Sequence, residues 1–315
     1  MLARVANNLF WMGRYIERSE HIARFMNVNY FSSLDAPNTL SQSRQFVLKS
    51  MLFMVGRPVS NDELILNEEQ VIYDLGLNSD KPYSILNNIK AIRENANSAR
   101  DLISTELYEA INKFYHFILN YESDVLVKRG LYDFTVNVTE SSSILRNKIR
   151  GTLLHDQVYA IIMLGINIER ATQIIRIINT KYNDALNAQG SYGNKIAHSS
   201  EWSTLLKCAE AYDMMRRLYK KTPASVTTLE FLVLNADCPR SVMNSLNQIC
   251  SHVQVLDQSK YPVKNSTSCL VGKLRSKFSF MQVEEIEKDI KGFIDQILDD
   301  LFKISERMEQ EFFNY

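Results

Sequence analysis

Glycine and proline are scarce in this chain, with 10 and 6 among 315 residues. So few breakers and turn formers exclude a many-stranded fold with its frequent reversals, and favour long helices. Cysteine is as thin. Cys208, Cys238, Cys250 and Cys269 form no C-x-x-C pair, so no zinc or redox site is legible from spacing, and free thiols fit a reducing cytoplasm. An excess of either charge is missing, since 36 Lys and Arg cancel 36 Asp and Glu. That balance leaves no electrostatic footprint for nucleic acid or an anionic membrane surface. The five histidines are scattered, with no H-x-x-x-H or H-E-x-x-H, so no metal site is expected. G-x-x-x-x-G-K-[ST], G-x-G-x-x-G and G-x-S-x-G are all absent. ATP handling by this chain alone is therefore not expected, and no cofactor is implied. No uninterrupted apolar run reads as a bilayer span, and the first residues reach charged helix too soon for a secretory apolar segment. The expected location is the cytoplasm.

What is present is an apolar share of 45%, ordinary for a globular protein, on a chain long enough for one large core or two smaller ones. Two blocks recur. GRYIERSEHIARFMN (13–27) and GINIERATQIIRIIN (165–179) match at seven of fifteen positions, 152 residues apart. LNSDKPYSILNNI (77–89) and LNADCPRSVMNSL (234–246) match at six of thirteen, 157 residues apart. Two blocks in the same order at nearly the same offset point to internal duplication, with a small insertion between them. The expected fold is all-α, a helical bundle of two pseudo-symmetric repeats, 1–150 and 151–315, packed as one unit.

Periodicity and punctuation place helices over 3–30, 40–56, 82–122, 124–149, 153–186, 199–221, 239–257 and 279–312. Asp80 with Pro82, and Asp237 with Pro239, read as helix starts, an acidic cap followed by proline in the first turn. Residues 57–81 read as an irregular connection and 257–275 as a loop. Asp156 reads as a cap for the second Glu-Arg helix.

Each repeat opens on a helix with a Glu-Arg pair. At about 100° per residue, Arg176 lies within about 20° of Glu169, two turns along the same side, and Arg170 about 100° away among Met163, Ile174 and Ile177. From Ile161 to Asn179 the charged residues are Glu169, Arg170 and Arg176 alone. A helix apolar nearly all round is expected to be buried, and its charges with it. In the first repeat Glu17 and Arg24 share a side with Arg14 and His21, while Arg18 intrudes into an apolar arc with Trp11, Ile22 and Phe25. Gly13 and Gly165 lie on the glutamate sides, where a missing Cβ allows close backbone or ligand approach. Buried charges must be paired. Across a pseudo-twofold axis, Glu17 could meet Arg170 or Arg176, and Glu169 could meet Arg18 or Arg24. The lattice could be purely structural, or its arginines could bind a carboxylate or phosphate. Secondary candidates are Arg93, Glu94 and Arg100, an Arg–Glu–Arg set belonging to one half only, and Arg240 in the second block. Phe10, Trp11 and Tyr15 read as core, and the amphipathic C-terminal helix as the closing element of the bundle.

The opening LARVANNLFWMGRYIERSEHIAR resembles the N-terminal signature of the Alpha-E family, as do RENANSARDLIS, TLLHDQVYAIIMLGINIERA and FLVLNADCPRSV. The resemblance spans essentially the whole chain. It departs at Ala3, where members often carry Ser, and near Tyr108 and Tyr159, where they often carry Trp. The resemblance implies a helical, tandemly duplicated protein whose Glu-Arg motif falls here on Glu17-Arg18 and Glu169-Arg170. It further implies a context of circularly permuted ATP-grasp and transglutaminase-like proteins in a peptide synthesis or modification system. In that setting the chain would be a non-catalytic accessory or substrate-positioning subunit for the ATP-grasp amide ligase, with a peptide or carboxylate ligand. Two other readings stand beside it. One is an enzyme using Glu17 or Glu169 as general base on an anionic substrate, and the other a structural scaffold.

Overall fold

The computed structural model describes residues 2–34, 44–57, 65–188, 195–257 and 263–313, and among them every regular element is helical. Besides three-residue helical turns at Arg100–Leu102 and Ser123–Val125, in chain order these are α1 (Ala3–Leu34), α2 (Arg44–Met54), α3 (Glu68–Gly76), α4 (Ile85–Ser98), α5 (Thr105–Leu119) and α6 (Leu131–Thr152). Then follow α7 (Gln157–Ala188), α8 (Lys195–Cys208), α9 (Tyr212–Tyr219), α10 (Ser225–Leu229) and α11 (Val242–Leu256). The chain ends on α12 (Thr267–Phe280), α13 (Val283–Lys288) and α14 (Ile290–Met308). One-turn π segments lead into α6 and follow α10 and α14.

Serine hydroxyls mark several boundaries that periodicity missed. Ser84 accepts from the Asn87 amide at 3.2 Å to start α4, and Ser241 from Asn244 at 2.9 Å to start α11. The acidic residues expected as caps lie upstream in a turn instead, where the amides of Asp80 and Asp237 each donate to an Asn side chain, Asn78 and Asn235, at 2.9 Å. Ser104 caps α5 and so breaks the helix expected over 82–122. Ser266 caps α12, so the second part of the expected loop 257–275 is helical. The connection 57–81 contains α3, capped by Asn67. The helix expected over 199–221 breaks at Glu210, whose φ of 55° is left-handed. The C-terminal helix is interrupted before α14, which Asp289 caps. Asp156 caps α7 as expected, accepting from Val158 at 2.9 Å.

The two longest helices, α1 and α7, pack against each other at the centre. α4 and α6 flank α1, while α11 and α14 flank α7. α5 bridges α4 and α6, as α12 bridges α11 and α14. One continuous apolar core runs through both halves, from Leu9, Phe10 and Ile16 on α1 to Ile162, Ile166 and Ile174 on α7. By length and composition Gln157–Asp184 could cross a bilayer, contrary to the reading of the sequence. Packing accounts for that apolarity, since 83% of its apolar window is buried inside the fold.

Candidate functional site

The site begins where α1 and α7 cross. A Cβ on Gly13 would be driven into the Ile162 carbonyl oxygen, and one on Gly165 into that of Phe10. The two helices thus approach backbone to backbone, and only glycine permits it. One turn further on, two forks span the crossing. Arg18 donates through Nε to Glu169 Oε1 at 2.7 Å and through Nη2 to Oε2 at 3.0 Å. Arg170 donates through Nε to Glu17 Oε1 at 2.6 Å and through Nη2 to Oε2 at 2.9 Å. Both glutamates are fully buried, where bidentate pairing offsets the cost of leaving water.

Glu169 accepts two further bonds, from Arg14 Nε at 2.9 Å and from Gln173 Nε2 at 2.7 Å. Burial alone would raise its pKa, but Arg18 and Arg14 overcome that and hold the carboxyl far below the usual carboxylate range. Arg14 also donates to Ser305 Oγ on α14 at 3.2 Å and lies over the Trp11 ring, 4.5 Å from its centre.

Glu17 sits in a denser cluster. Beyond Arg170 it faces His21 Nε2 at 3.3 Å, Arg240 Nη1 at 3.3 Å and Arg146 Nη1 at 3.5 Å. Burial again opposes ionisation, and Arg170, the His21 bond and Arg146 carry the pKa well below its ordinary value. Since a carboxylate only accepts, His21 Nε2 carries the proton, and burial keeps the ring pKa low. A second buried carboxylate, Glu20, pairs with Arg24 and Arg146 and accepts from Arg240 Nη2 at 3.1 Å. Glu210, at the turn between α8 and α9, closes the cluster against Arg240 and against Arg24 at 2.9 Å. Burial lowers the pKa of both Arg24 and Arg146 to about 10, and neighbouring arginines add to the effect.

Of the pairings open from sequence, the forks choose Arg18 for Glu169 and Arg170 for Glu17. Arg14 joins the Glu169 fork, and Arg24 turns to Glu20 and Glu210. Arg176 makes no side-chain hydrogen bond or ion pair among the described residues, although the Glu169 charge acts on it. Arg240 belongs at the centre of the Glu17 cluster. Arg93 bonds Asn112 at 2.9 Å and lies over Tyr115, and Arg100 lies over Tyr108. Glu94 is exposed, so this trio stands apart from the lattice. Sequence reasoning missed Glu20, Arg146, Gln173 and Glu210. Glu20 carried a signal in its four-residue spacing to Arg24, whereas the others depend on tertiary placement.

Among the described residues no group of His, Cys, Asp and Glu could hold a metal ion. The four cysteines are free thiols, and burial pushes that of Cys208 up to about 12. Chemically, the arrangement is a set of fixed charges: two carboxylates locked ionised, and arginines in excess of carboxylates in both clusters.

A central helix pair crossed by reciprocal Glu-Arg forks defines a helical protein with a Glu-Arg motif. The chain belongs to the Alpha-E family, described as a predicted alpha-helical domain with a conserved ER motif, which it matches over residues 1–313. Uncharacterised proteins of Mycobacterium bovis and of two Mycobacterium tuberculosis strains are each 20% identical over 302 residues, 90% of this chain. The match takes up 33% of each relative, so the chain spans about a third of their length. No solved structure matches the chain.

Proposed function

We propose that this chain is a non-catalytic accessory protein that holds an anionic peptide substrate for a circularly permuted ATP-grasp amide ligase, in the cytoplasm of a bacterium. The observation that carries this reading is the surplus of arginine around immobile carboxylates. Four arginines (Arg24, Arg146, Arg170, Arg240) face Glu17, Glu20 and Glu210, and three (Arg14, Arg18, Arg176) face Glu169. A general base works best with a pKa near the working pH. Glu17 and Glu169 are held far below it, which speaks against the enzyme reading. Fixed guanidinium groups suit the holding of a carboxylate or phosphate.

The matched offsets and reciprocal forks support an origin by duplication, with repeats 1–150 and 151–315. The forks themselves favour a second, structural reading for part of the lattice: Glu17 with Arg170 and Glu169 with Arg18 tie the two halves together, and Arg176, which has no ion pair among the described residues, is left for a ligand. A transglutaminase-like protein is a further proposed partner.

Co-expression with a circularly permuted ATP-grasp protein of the same genome, followed by size-exclusion chromatography and an ATP-turnover assay, tests the proposal. A stable complex with raised turnover is expected. Separate elution at micromolar concentration with unchanged turnover would sink it.

A further inference from the structure

Beside the Glu169 fork lies a cavity of about 380 Å³, within the range of small-ligand sites. Arg18, Arg176, Gln173 and Tyr83 supply its polar lining, and Ile22 and Met54 its apolar walls. Among the described residues, three of these side chains have polar atoms without partners. Arg176 has no side-chain hydrogen bond or ion pair among the described residues, and Gln173 Oε1 and the Tyr83 hydroxyl are buried without any. Gln173 is itself buried, and its Nε2 bond to Glu169 directs Oε1 away from that carboxylate. Buried polar atoms are nearly always satisfied, so two buried orphans beside the half-buried, unpaired Arg176 point to a ligand.

The other half of the molecule indicates which ligand. Arg24 corresponds to Arg176 in the first repeated block, and Arg240 to Tyr83 in the second. Where those two residues meet, the Glu210 carboxylate is seated on both guanidinium groups. Charge agrees with this correspondence. The Glu17 cluster, with four arginines and three carboxylates, keeps one net positive charge. Three arginines around Glu169 keep two, and a single added carboxylate would make the two clusters alike.

We propose that the Arg176 cavity binds a carboxylate on an apolar, amide-bearing stem, the chemistry of a peptide's C-terminal residue. Arg176 and Arg18 face the carboxylate, the Tyr83 hydroxyl donates to it, and Gln173 Oε1 accepts from the amide N–H. The apolar side chain rests on Ile22 and Met54. This deepens the substrate-holding reading and rests on it for biological sense, but the binding belongs to this chain alone.

The test is calorimetric titration of the full chain with N-acetyl-L-leucine, with N-acetyl-L-leucinamide and inorganic phosphate as comparison probes. Saturable one-to-one binding of the acid is expected, with the amide and phosphate much weaker. Arg176→Met should weaken binding by about 10-fold or more, and Tyr83→Phe by a smaller factor, because charge-assisted bonds outweigh neutral ones. Arg176 has no partner to lose, so its variant should fold, and a thermal melt checks that. No saturable binding up to about 10 mM, a Kd weaker than any specific site would show, overturns the proposal. So does binding of the amide as tight as the acid, or binding unchanged by Arg176→Met. Tighter binding of phosphate would make this a phosphate site instead and overturn the carboxylate assignment. Each of these failures would leave complex formation with the ligase, read separately, untouched.

Discussion

Arg18 holds Glu169 as a two-pronged fork across 151 residues of chain, with Nε 2.7 Å from Oε1 and Nη2 3.0 Å from Oε2. Glu169 is cut off from water, so the two substitutions should not cost the same. Glu169→Gln leaves Arg14, Arg18 and Arg176 facing one another and should destabilise by about 3–5 kcal/mol. Arg18→Met leaves the carboxylate with Arg14 and Gln173, and should cost less. The double variant should be less destabilised than the sum by about 1–3 kcal/mol, as for residues in one network. Urea denaturation of all four proteins measures the coupling. Additive losses would mean that the fork contributes no specific pairing.

The glycines at the crossing make a sharper test, because their neighbours are backbone and cannot rotate away. Gly13→Ala or Gly165→Ala forces α1 and α7 apart and should destabilise by about 2–3 kcal/mol or more. Gly151, near the end of α6, has open space where a Cβ would go. There Gly→Ala should raise stability by roughly 0.5–1 kcal/mol, through backbone entropy and helix propensity. If all three variants melted alike, the close approach would have no energetic weight.

Acid should act in two stages. His21 has a lowered pKa because it is buried, and burial likewise lowers His252 to about 4. As pH falls below about 6.5, the unfolded chain takes up protons that these rings refuse in the fold, so stability declines. Glu17 and Glu169 have lowered pKa values as well, so their contribution is complete above about 4.3 and is lost as pH falls below that. Denaturant midpoints should be flat from about pH 8 to 7, fall below about 6.5, and fall more steeply below about 4.3. His21→Gln with His252→Asn should flatten the first stage and leave the second. Gln173, which takes the place of His21 in the later copy of the first repeated block, already donates to Glu169. An unchanged first stage would show that other groups titrate there.

Much of this site was legible from angles on one helix. Glu169, Arg170 and Arg176 stand alone in an apolar stretch, which requires burial and partners from elsewhere, and Gly165 on the same side allows a close neighbour. The choice between Arg18 and Arg24 as partner for Glu169 was not legible, because it depends on where along their length the helices cross. The Gly13 and Gly165 contacts set that point. Arg146 and Glu210 gave no local sign, since each reaches the cluster from α6 or from the α8–α9 turn by tertiary packing alone. Helix ends were misplaced for a related reason: in Ser84 and Ser241 the cap is a hydroxyl two residues past a proline, which reads as a helix interior unless the turn before it is known.

Glu210 brings these lines together. It holds a left-handed φ of 55°, which costs an ordinary residue about 1 kcal/mol and which glycine adopts freely. Its side chain compensates by reaching Arg24 and Arg240. Glu210→Gly relaxes the backbone but leaves Glu20 as the one carboxylate shared by the Arg24 and Arg240 guanidinium groups, and like charges in a poorly hydrated cluster repel strongly. The variant should therefore melt below the native protein in chloride buffer, despite the easier turn. Added acetate should restore part of the loss, because the vacated place takes a carboxylate, and the native protein should gain less from it. A variant as stable as the native protein, or one indifferent to acetate, would show that the turn and not the carboxylate accounts for Glu210. The correspondence between its position and the Arg176 cavity would then lose its chemical basis.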